Sequence, residues 1–214
     1  NMEETIGQDT SQRGKKIIKE SWISENKEVY LANWKDYRTD LINKTKYANR
    51  ITIKKFDPKE QQCEDFGGDL ASIDSVNLVN IESTQRIEAI MGGELAKLEI
   101  IIVTHGNIKD PIIGFLLKND KGITLLGDNS YNTFQMDTVK NLGKGLKLKI
   151  TFTFTIPLLP SGDYSITAAI ADGNQKQHNI LHWKNDAILL QSHCSSVAAG
   201  VAGIPMHSII METI

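Results

Sequence analysis

The sequence predicts an all-β antiparallel sandwich preceded by a short α-helical extension. Beyond about residue 50, apolar side chains recur with a period of two in short segments, which is the pattern of half-buried strands. Turns rich in Gly, Asn and Asp separate these segments, and no helical pattern lies between them. With 214 residues, of which 40% are hydrophobic, the chain is long enough for one substantial core. We therefore expect two units, an extension over residues 1–50 and a sandwich over residues 51–214.

The extension begins with a polar arm over residues 1–16 and continues as a predicted helix. Between Lys15 and about Leu41, apolar residues recur at helical spacing, namely Ile18, Trp22, Tyr30, Trp34 and Tyr37. An amphipathic helix has to bury its apolar stripe. We therefore expect this helix to pack on the sandwich or on a partner chain.

Ten segments then carry the strand pattern. They are residues 51–56, 70–79, 86–90, 98–103, 112–117, 123–126, 146–156, 164–170, 186–190 and 208–213. The pattern is clearest over 146–156, where Leu, Ile and Phe alternate with Lys and Thr. So many short strands without intervening helices are typical of an antiparallel sandwich.

The segment 111–133 changes character halfway along. Residues 111–126 predict a hairpin that turns at 119–122 and directs Ile113, Phe115 and Leu117 into the core. We expect Gly127 to release the chain from the sheet, so that residues 128–133 form a turn that presents Tyr131.

Composition and motifs exclude several classes of function. The 24 Lys and Arg residues against 26 Asp and Glu residues give a net charge of -2, which does not favour a nucleic-acid partner. Residues 1–20 lack the apolar core of a signal peptide, and the apolar runs are shorter than the ~20 residues that span a bilayer. The two cysteines, Cys63 and Cys194, are far apart, which favours a reducing compartment. The expected location is the cytosol.

Catalytic and metal-binding patterns are weak. Residues 7–16 have the wrong spacing for a phosphate-binding loop, and no nucleophile elbow is present. His178 and His182 are four residues apart, but on an extended strand that places them ~13 Å from each other, too far to share a metal. The carboxylates Glu94, Glu99 and Asp128 are scattered. We expect no catalytic residue, no metal and no cofactor.

Polar and aromatic side chains do cluster after two predicted strands. Asn129, Tyr131, Asn132 and Gln135 follow the hairpin, and His178, His182 and Trp183 follow the turn at 172–174. Such side chains bind sugars, because rings contact the apolar face of a pyranose while amides exchange hydrogen bonds with its hydroxyls. The alternative is structural: the amides mark turns, and the two rings close the end of the core.

Five segments stand out by their order along the chain. They are 66–73 (FGGDLASI), 111–119 (PIIGFLLKN), 121–131 (KGITLLGDNSY), 159–166 (LPSGDYSI) and 182–188 (HWKNDAI). Over about residues 62–205 this order resembles the C-terminal carbohydrate-binding domain of Wzt-type ATPases, the nucleotide-binding subunits of ABC transporters that export bacterial O-antigen polysaccharide. Ser130 stands where that family usually has Thr, and Ile188 where it has Leu.

The resemblance implies an immunoglobulin-like sandwich without catalytic activity. It also implies recognition of the modified non-reducing end of a finished O-antigen chain. Members of the family are dimers that exchange a C-terminal strand, a part that the apolar tail at 200–211 would play. Residues 1–50 would then be the linker from a preceding ATPase domain, which docks on the transporter's membrane subunit at the cytoplasmic side of the inner membrane.

The resemblance also divides the candidate ligand contacts into two groups. Asn129, Ser130 and Trp183 lie on family motif positions, and the variable neighbours are Lys118, Tyr131, Asn132, Gln135, His178 and His182. Two hypotheses from other classes stay open beside glycan binding. One is a structural or protein-interaction sandwich without sugar affinity, and the other is a sugar-processing enzyme with two facing carboxylates.

Overall fold

The chain folds into two antiparallel sheets packed face to face. The computed structural model describes residues 38, 50–54, 64–81, 86–135, 141–194, 200–206 and 209–213. Within them the elements are β1 (Arg50–Lys54), β2 (Phe66–Gly67), β3 (Ala71–Asn80), β4 (Ala89–Ile90), β5 (Leu95–Thr104), β6 (Pro111–Asn119), β7 (Thr124–Asn129), α1 (Tyr131–Gln135), β8 (Lys147–Thr155), β9 (Gly162–Gly173) and β10 (His178–His193). Of the predicted N-terminal helix only residue 38 is among them, and the rest of it lies outside the described residues.

The larger sheet has the strand order β4-β1-β10-β9-β6-β7, with the short β2 added along β10. The smaller sheet has the order β3-β5-β8. Every pairing between these strands is antiparallel. Short turns join the partners in β6–β7 and β9–β10, as in antiparallel hairpins, whereas the other paired strands are not consecutive in the chain. The predicted all-β antiparallel sandwich is confirmed.

The core lies between the two sheets and follows the alternation of the sequence. In β5 each second residue is buried, including Leu98, Ile100 and Ile102. Burying one such side chain contributes about 1.5–3 kcal/mol relative to leaving it exposed. Phe115 of β6 joins the sheets through ring contacts with Phe152 and Phe154 of β8, at centroid distances of 5.1 and 5.3 Å.

The edge strand β8 shows the predicted alternation in a weaker form. Its Leu, Ile and Phe residues are half-buried, while most of its Lys and Thr residues are exposed. Among the described strands β8 pairs only with β5, so its apolar face is covered from fewer sides than that of β5.

Two sequence-based expectations about strand ends are wrong. Gly127 does not release the chain, because it pairs with Leu116 inside β7, which continues to Asn129. Residues 131–135 then form the single-turn helix α1 instead of a turn. The strand expected over 208–213 is not formed either, since residues 209–213 lie in no strand and are exposed.

The last strand is longer than its sequence pattern indicates. The alternation predicts a strand over 186–190, whereas β10 runs from His178 to His193. A bulge interrupts the apolar alternation of β10, because three of its residues (185–187) stand opposite the single residue Thr167 of β9. The sequence pattern therefore shows only the part of the strand after the bulge. None of the helices in the described part of the chain is long and apolar enough to cross a membrane.

Candidate functional site

On the outer face of the larger sheet, two small residues lie between larger residues of β10 and β7, and we call this row the groove. Ile166, Ala168 and Ile170 of β9 point into the core, so Thr167 and Ala169 belong to the outer face. The register then places four residues in one row across four strands, in the order Trp183, Ala169, Gly114 and Asn129. With strands ~4.8 Å apart, the outer members of this row are ~14 Å from each other, which is wide enough for a sugar ring.

The floor of the groove is flat because its two middle residues are small. A Cβ atom at Gly114 would lie 2.9 Å from Cβ of Asn129 and 2.9 Å from the Asp128 carbonyl oxygen. No larger residue fits there without moving β7. Ala169 adds only a methyl group, so a ligand can approach the backbone closely over these two residues.

One wall of the groove is a pair of aromatic rings. Phe66 of β2 and Trp183 of β10 are direct cross-strand partners, and their rings are stacked with centroids 6.0 Å apart and planes 11° apart. Phe66 is 49% exposed, although it is a large apolar side chain. The indole Nε1–H of Trp183 donates to Oδ1 of Asn185 at 2.8 Å, which fixes the plane of the ring. Trp183 itself is half-buried, and an aromatic pair with one exposed ring held in this way is typical of a surface that binds a ligand.

The segment 64–68 fastens Phe66 to β10. Asp65 accepts a hydrogen bond from the Asn185 backbone N–H at 2.8 Å, and the Glu64 carbonyl accepts one from the Asn185 side chain at 2.8 Å. At Gly67, where φ is +82°, a Cβ atom would overlap the Leu181 carbonyl oxygen. Only glycine therefore lets β2 lie this close to β10.

Lys118 reaches the same wall from β6. Its Nζ atom lies 5.2 Å from the centroid of the Trp183 ring, which is the distance of a cation–π contact. Lys118 and Trp183 were both predicted from sequence as ligand contacts, and the fold brings them together.

The opposite wall is built from amides at the end of β7. Oδ1 of Asn129 accepts the Tyr131 backbone N–H at 3.0 Å and the Gln175 side-chain amide at 3.1 Å. Asn129 therefore closes the turn into α1 and ties it to the β9–β10 turn. Tyr131 is half-buried, Asn132 is exposed, and Gln135 ends α1.

Ser130, the neighbour of Asn129, has a structural role. Its buried Oγ accepts the Ile113 backbone N–H at 3.0 Å, and its own N–H donates to the Ile113 carbonyl at 2.8 Å. A side chain thus completes the β6–β7 ladder one residue beyond its end.

The two neighbouring histidines have different environments. His178 is exposed, and its Nδ1–H donates to the Asn174 carbonyl at 3.0 Å within the β9–β10 turn. His182 is buried and faces the core, where its Nδ1 accepts the Ile73 backbone N–H of the other sheet at 3.1 Å. Burial, the largest effect, lowers the pKa of His182; the Asp65 carboxylate opposes this shift, and Lys184 adds to it. His182 is neutral and hydrogen-bonded to the other sheet, so it stabilises the position of β10 from the core side. Because it is buried, little of its side chain is accessible from the groove.

The carboxylates considered from sequence do not converge. Glu99 lies on the smaller sheet and pairs with Lys149 at 2.9 Å, Asp128 lies on β7, and Glu94 lies between β4 and β5. In the ranges that the structure describes, no group of three or more His, Cys, Asp or Glu residues is arranged to hold a metal ion.

Phe66 and Thr167 are site residues that sequence reasoning missed. Phe66 opens one of the five ordered segments, but its partner Trp183 is far away along the chain and only the fold joins them. Thr167 sits in a plain apolar alternation, and nothing local indicates that its hydroxyl lies beneath the groove.

Comparison with known proteins agrees with this architecture. The family model described as the Wzt C-terminal domain matches residues 62–204, which is more than half of the chain. The crystal structure of the C-terminal domain of wzt superposes with a TM-score of 0.58 at 21% identity, over 73% of this chain and 91% of that one. The crystal structure of chicken MD-1 complexed with lipid IVa covers 70% of this chain and 94% of that one at 16% identity, with a TM-score of only 0.31. No curated protein matches the chain significantly.

The two shared sheets confirm the immunoglobulin-like sandwich that the ordered segments implied. The match also begins and ends within a few residues of the region that those segments marked out. The chain therefore belongs to the Wzt C-terminal domain family.

Proposed function

We propose that the groove binds the modified non-reducing end of an O-antigen polysaccharide, so that only finished chains are exported by an ABC transporter. The observation that supports this most strongly is the stacked pair of the exposed Phe66 and the half-buried Trp183, on a sheet face beside Lys118. Family membership supplies the context of polysaccharide export. The role is one of binding and not of catalysis.

The chemistry of the two walls suits a sugar. The C–H bonds on one face of a pyranose pack against an aromatic ring, and its hydroxyls exchange hydrogen bonds with amides and ammonium groups. We assign Lys118, Phe66 and Trp183 to the terminal residue of the glycan. The far wall, at Asn129, Tyr131 and Asn132, then meets the next sugars, and we propose His178 and Gln135 as further contacts. His182 contributes by positioning β10.

Affinity for one site is expected to be modest. Each hydrogen bond that replaces water on a sugar hydroxyl contributes only ~1 kcal/mol net. The groove is open, and its floor is formed by the small residues Gly114 and Ala169, so little ligand surface is enclosed. Two copies held together would raise the effective affinity for a polymer through avidity.

A homodimer is the second part of the proposal. The tail exposes Val201, Ile204, Ile209, Ile210 and Met211, of which Met211 is 98% exposed and Ile210 is 74% exposed. An apolar tail of this kind needs a partner, and pairing with a sheet edge of a second copy would cover it. Removing residues 207–214 should then turn a dimer into a monomer in analytical ultracentrifugation, with the thermal transition retained.

The wider assembly follows from the family. We propose that residues 1–50 link this domain to an ATPase domain, which docks on a membrane subunit of the transporter. The domain described here would then act on the cytoplasmic side of the inner membrane, without a nucleic-acid partner.

Calorimetry with end-modified and unmodified polysaccharide from the source organism tests the function. Modified chains should bind and unmodified chains should not. Phe66→Ala and Trp183→Ala should each weaken binding at least about tenfold, which corresponds to ~1.4 kcal/mol. Ile123→Ala removes an apolar side chain, 56% exposed, from the β6–β7 turn and serves as the matched control. A flat titration with modified chains would refute glycan binding and leave the protein-interaction sandwich as the better hypothesis.

A further inference from the structure

A hydroxyl without a partner lies beneath the groove. Thr167 is 1% exposed, and its Oγ1 makes no hydrogen bond within the described part of the chain. Leaving a buried polar group unsatisfied costs about 1–3 kcal/mol, so native proteins rarely do so without a functional reason. Thr167 is on the outer face of β9, between Ser165, which pairs with Lys118, and Ala169, which pairs with Trp183.

Lys118 differs from most lysines on the two sheets, because four of them form ion pairs with carboxylates at 3.0, 2.9, 2.9 and 3.4 Å, namely Lys54, Lys147, Lys149 and Lys184. Lys97 makes no ion pair among the described residues either, but its ammonium donates to the Ile81 carbonyl at 3.3 Å. Among the described residues, the half-buried Lys118 makes no ion pair, and its ammonium lies over the Trp183 ring instead. A cation kept from carboxylates beside a binding groove is available to an anionic ligand.

The two features occupy the same place. To reach the Trp183 ring from β6, the Lys118 side chain has to cross β9 between Ser165, which is its own register partner, and Ala169, which is the register partner of Trp183. That path leads over Thr167, so the ammonium and the unpartnered hydroxyl lie at one end of the groove. Asp65, the neighbouring carboxylate, is already bound to the Asn185 backbone N–H and to Lys184.

We infer that Lys118 and Thr167 form an oxyanion subsite, so that the glycan end held by this chain carries a phosphate or a carboxylate. This inference rests on the proposed function. The ammonium supplies three N–H donors and the hydroxyl supplies one O–H donor, which together match the oxygens of one anionic group. The aromatic pair then receives the apolar face of the sugar that carries the anion. Binding draws the ammonium off the ring and gives the Thr167 hydroxyl its missing partner.

NMR titration of the 214-residue chain with small probes tests the subsite. At constant ionic strength, methyl phosphate and acetate are compared with the neutral methyl α-glucopyranoside. We expect saturable shifts of the Lys118 Nζ, the Thr167 amide and the Trp183 indole signals with at least one anion. The stronger of the two anions identifies phosphate or carboxylate.

Three variants complete the test. Lys118→Met keeps the length of the side chain and should raise the Kd for the anion at least tenfold. Thr167→Val keeps the shape, removes the hydroxyl and should raise the Kd by roughly three- to tenfold. Lys121→Met makes the same charge change on an exposed residue of the same hairpin and should bind as the wild type does. Equal Kd values for the Lys118 and Lys121 variants would overturn the subsite.

The outcome separates this inference from the proposed function. If end-modified polysaccharide binds while neither anion shifts these signals, the anionic subsite is wrong and glycan recognition stands. If an anion binds through Lys118 and no polysaccharide does, the subsite stands and the proposed function is wrong.

Discussion

Replacing Ser130 by alanine tests how the groove's far wall is anchored. The Ser130 Oγ accepts the Ile113 backbone N–H, one residue beyond the first β6–β7 ladder pair, Gly114 with Asn129. Both residues are buried, so no water can take over the bond in Ser130→Ala. The alanine leaves almost no cavity, and the loss reports on the hydrogen bond itself.

An unsatisfied buried N–H costs about 1–3 kcal/mol. For a domain of 150–250 residues, 1 kcal/mol lowers Tm by about 2–4 °C. We therefore expect Ser130→Ala to lose ~2 kcal/mol of unfolding free energy and about 4–8 °C in Tm.

Urea unfolding followed by tryptophan fluorescence measures this loss. Ser130→Thr keeps the hydroxyl and should retain most of the stability. Threonine is also the residue that the family resemblance leads us to expect at this position. Ser161→Ala removes an exposed hydroxyl that also accepts a backbone N–H, from Cys194 at 2.9 Å, and should cost under about 1 kcal/mol. The reasoning fails if Ser130→Ala unfolds at the wild-type urea midpoint, or if the threonine variant is as unstable as the alanine variant.

Three further changes have defined outcomes. Burial, the main effect, raises the pKa of Glu94, and hydrogen bonds from backbone N–H groups, including that of Met91, oppose this shift only in part. Because the folded state disfavours the charged carboxylate, the free energy of unfolding falls as pH rises above 4.5. Glu94→Gln should raise the urea midpoint at pH 7 but not at pH 4, and an equal effect at both would contradict this. Since the pKa of His182 is lowered in the folded state, the neutral imidazole contributes fully to the free energy of unfolding above pH 6.5. This contribution is lost as pH falls through the folded-state pKa. His182→Asn, which keeps an acceptor for Ile73, should make the free energy of unfolding less dependent on pH below about 6.5, whereas an unchanged pH profile would refute the assignment. Gly67→Ala should cost roughly 1–3 kcal/mol of stability through strain and weaken glycan binding in calorimetry; wild-type values for both would show that β2 does not need glycine.

The interior of the sandwich could be predicted because its signal is local. In β5 and β8, and in the first half of the hairpin, each second residue is apolar, and burial follows that period. The inward positions Ile113, Phe115 and Leu117 are confirmed for this reason. β10 was underestimated because its bulge interrupts the alternation after Lys184.

The site could be predicted only in part because it is made by register. From the sequence, Lys118 and Trp183 are recognisable as a charged and an aromatic residue near predicted turns. In the structure both are half-buried, Trp183 lies within β10, and the two side chains are in contact. Phe66 belongs to the aromatic wall only because β2 pairs it with Trp183. Thr167 belongs to the site only because β6 and β10 place Lys118 and Trp183 next to its neighbours on β9. Gly127 was misplaced because a glycine in a polar segment is more typical of a turn than of a strand that lies against Leu116.

The bulge of β10 has a consequence for how this surface can change during evolution. Three residues at 185–187 stand opposite Thr167 alone, while ladder pairs on both sides keep a fixed register, Lys184 with Ala168 and Ile188 with Ile166. Loss or gain of residues within this loop-like stretch would reshape the wall beside Trp183 and leave the strands on either side in place. An insertion or deletion of one residue in an uninterrupted strand would shift its register and turn each following side chain to the opposite face of the sheet. Ligand preference can therefore diverge here while the sandwich stays the same.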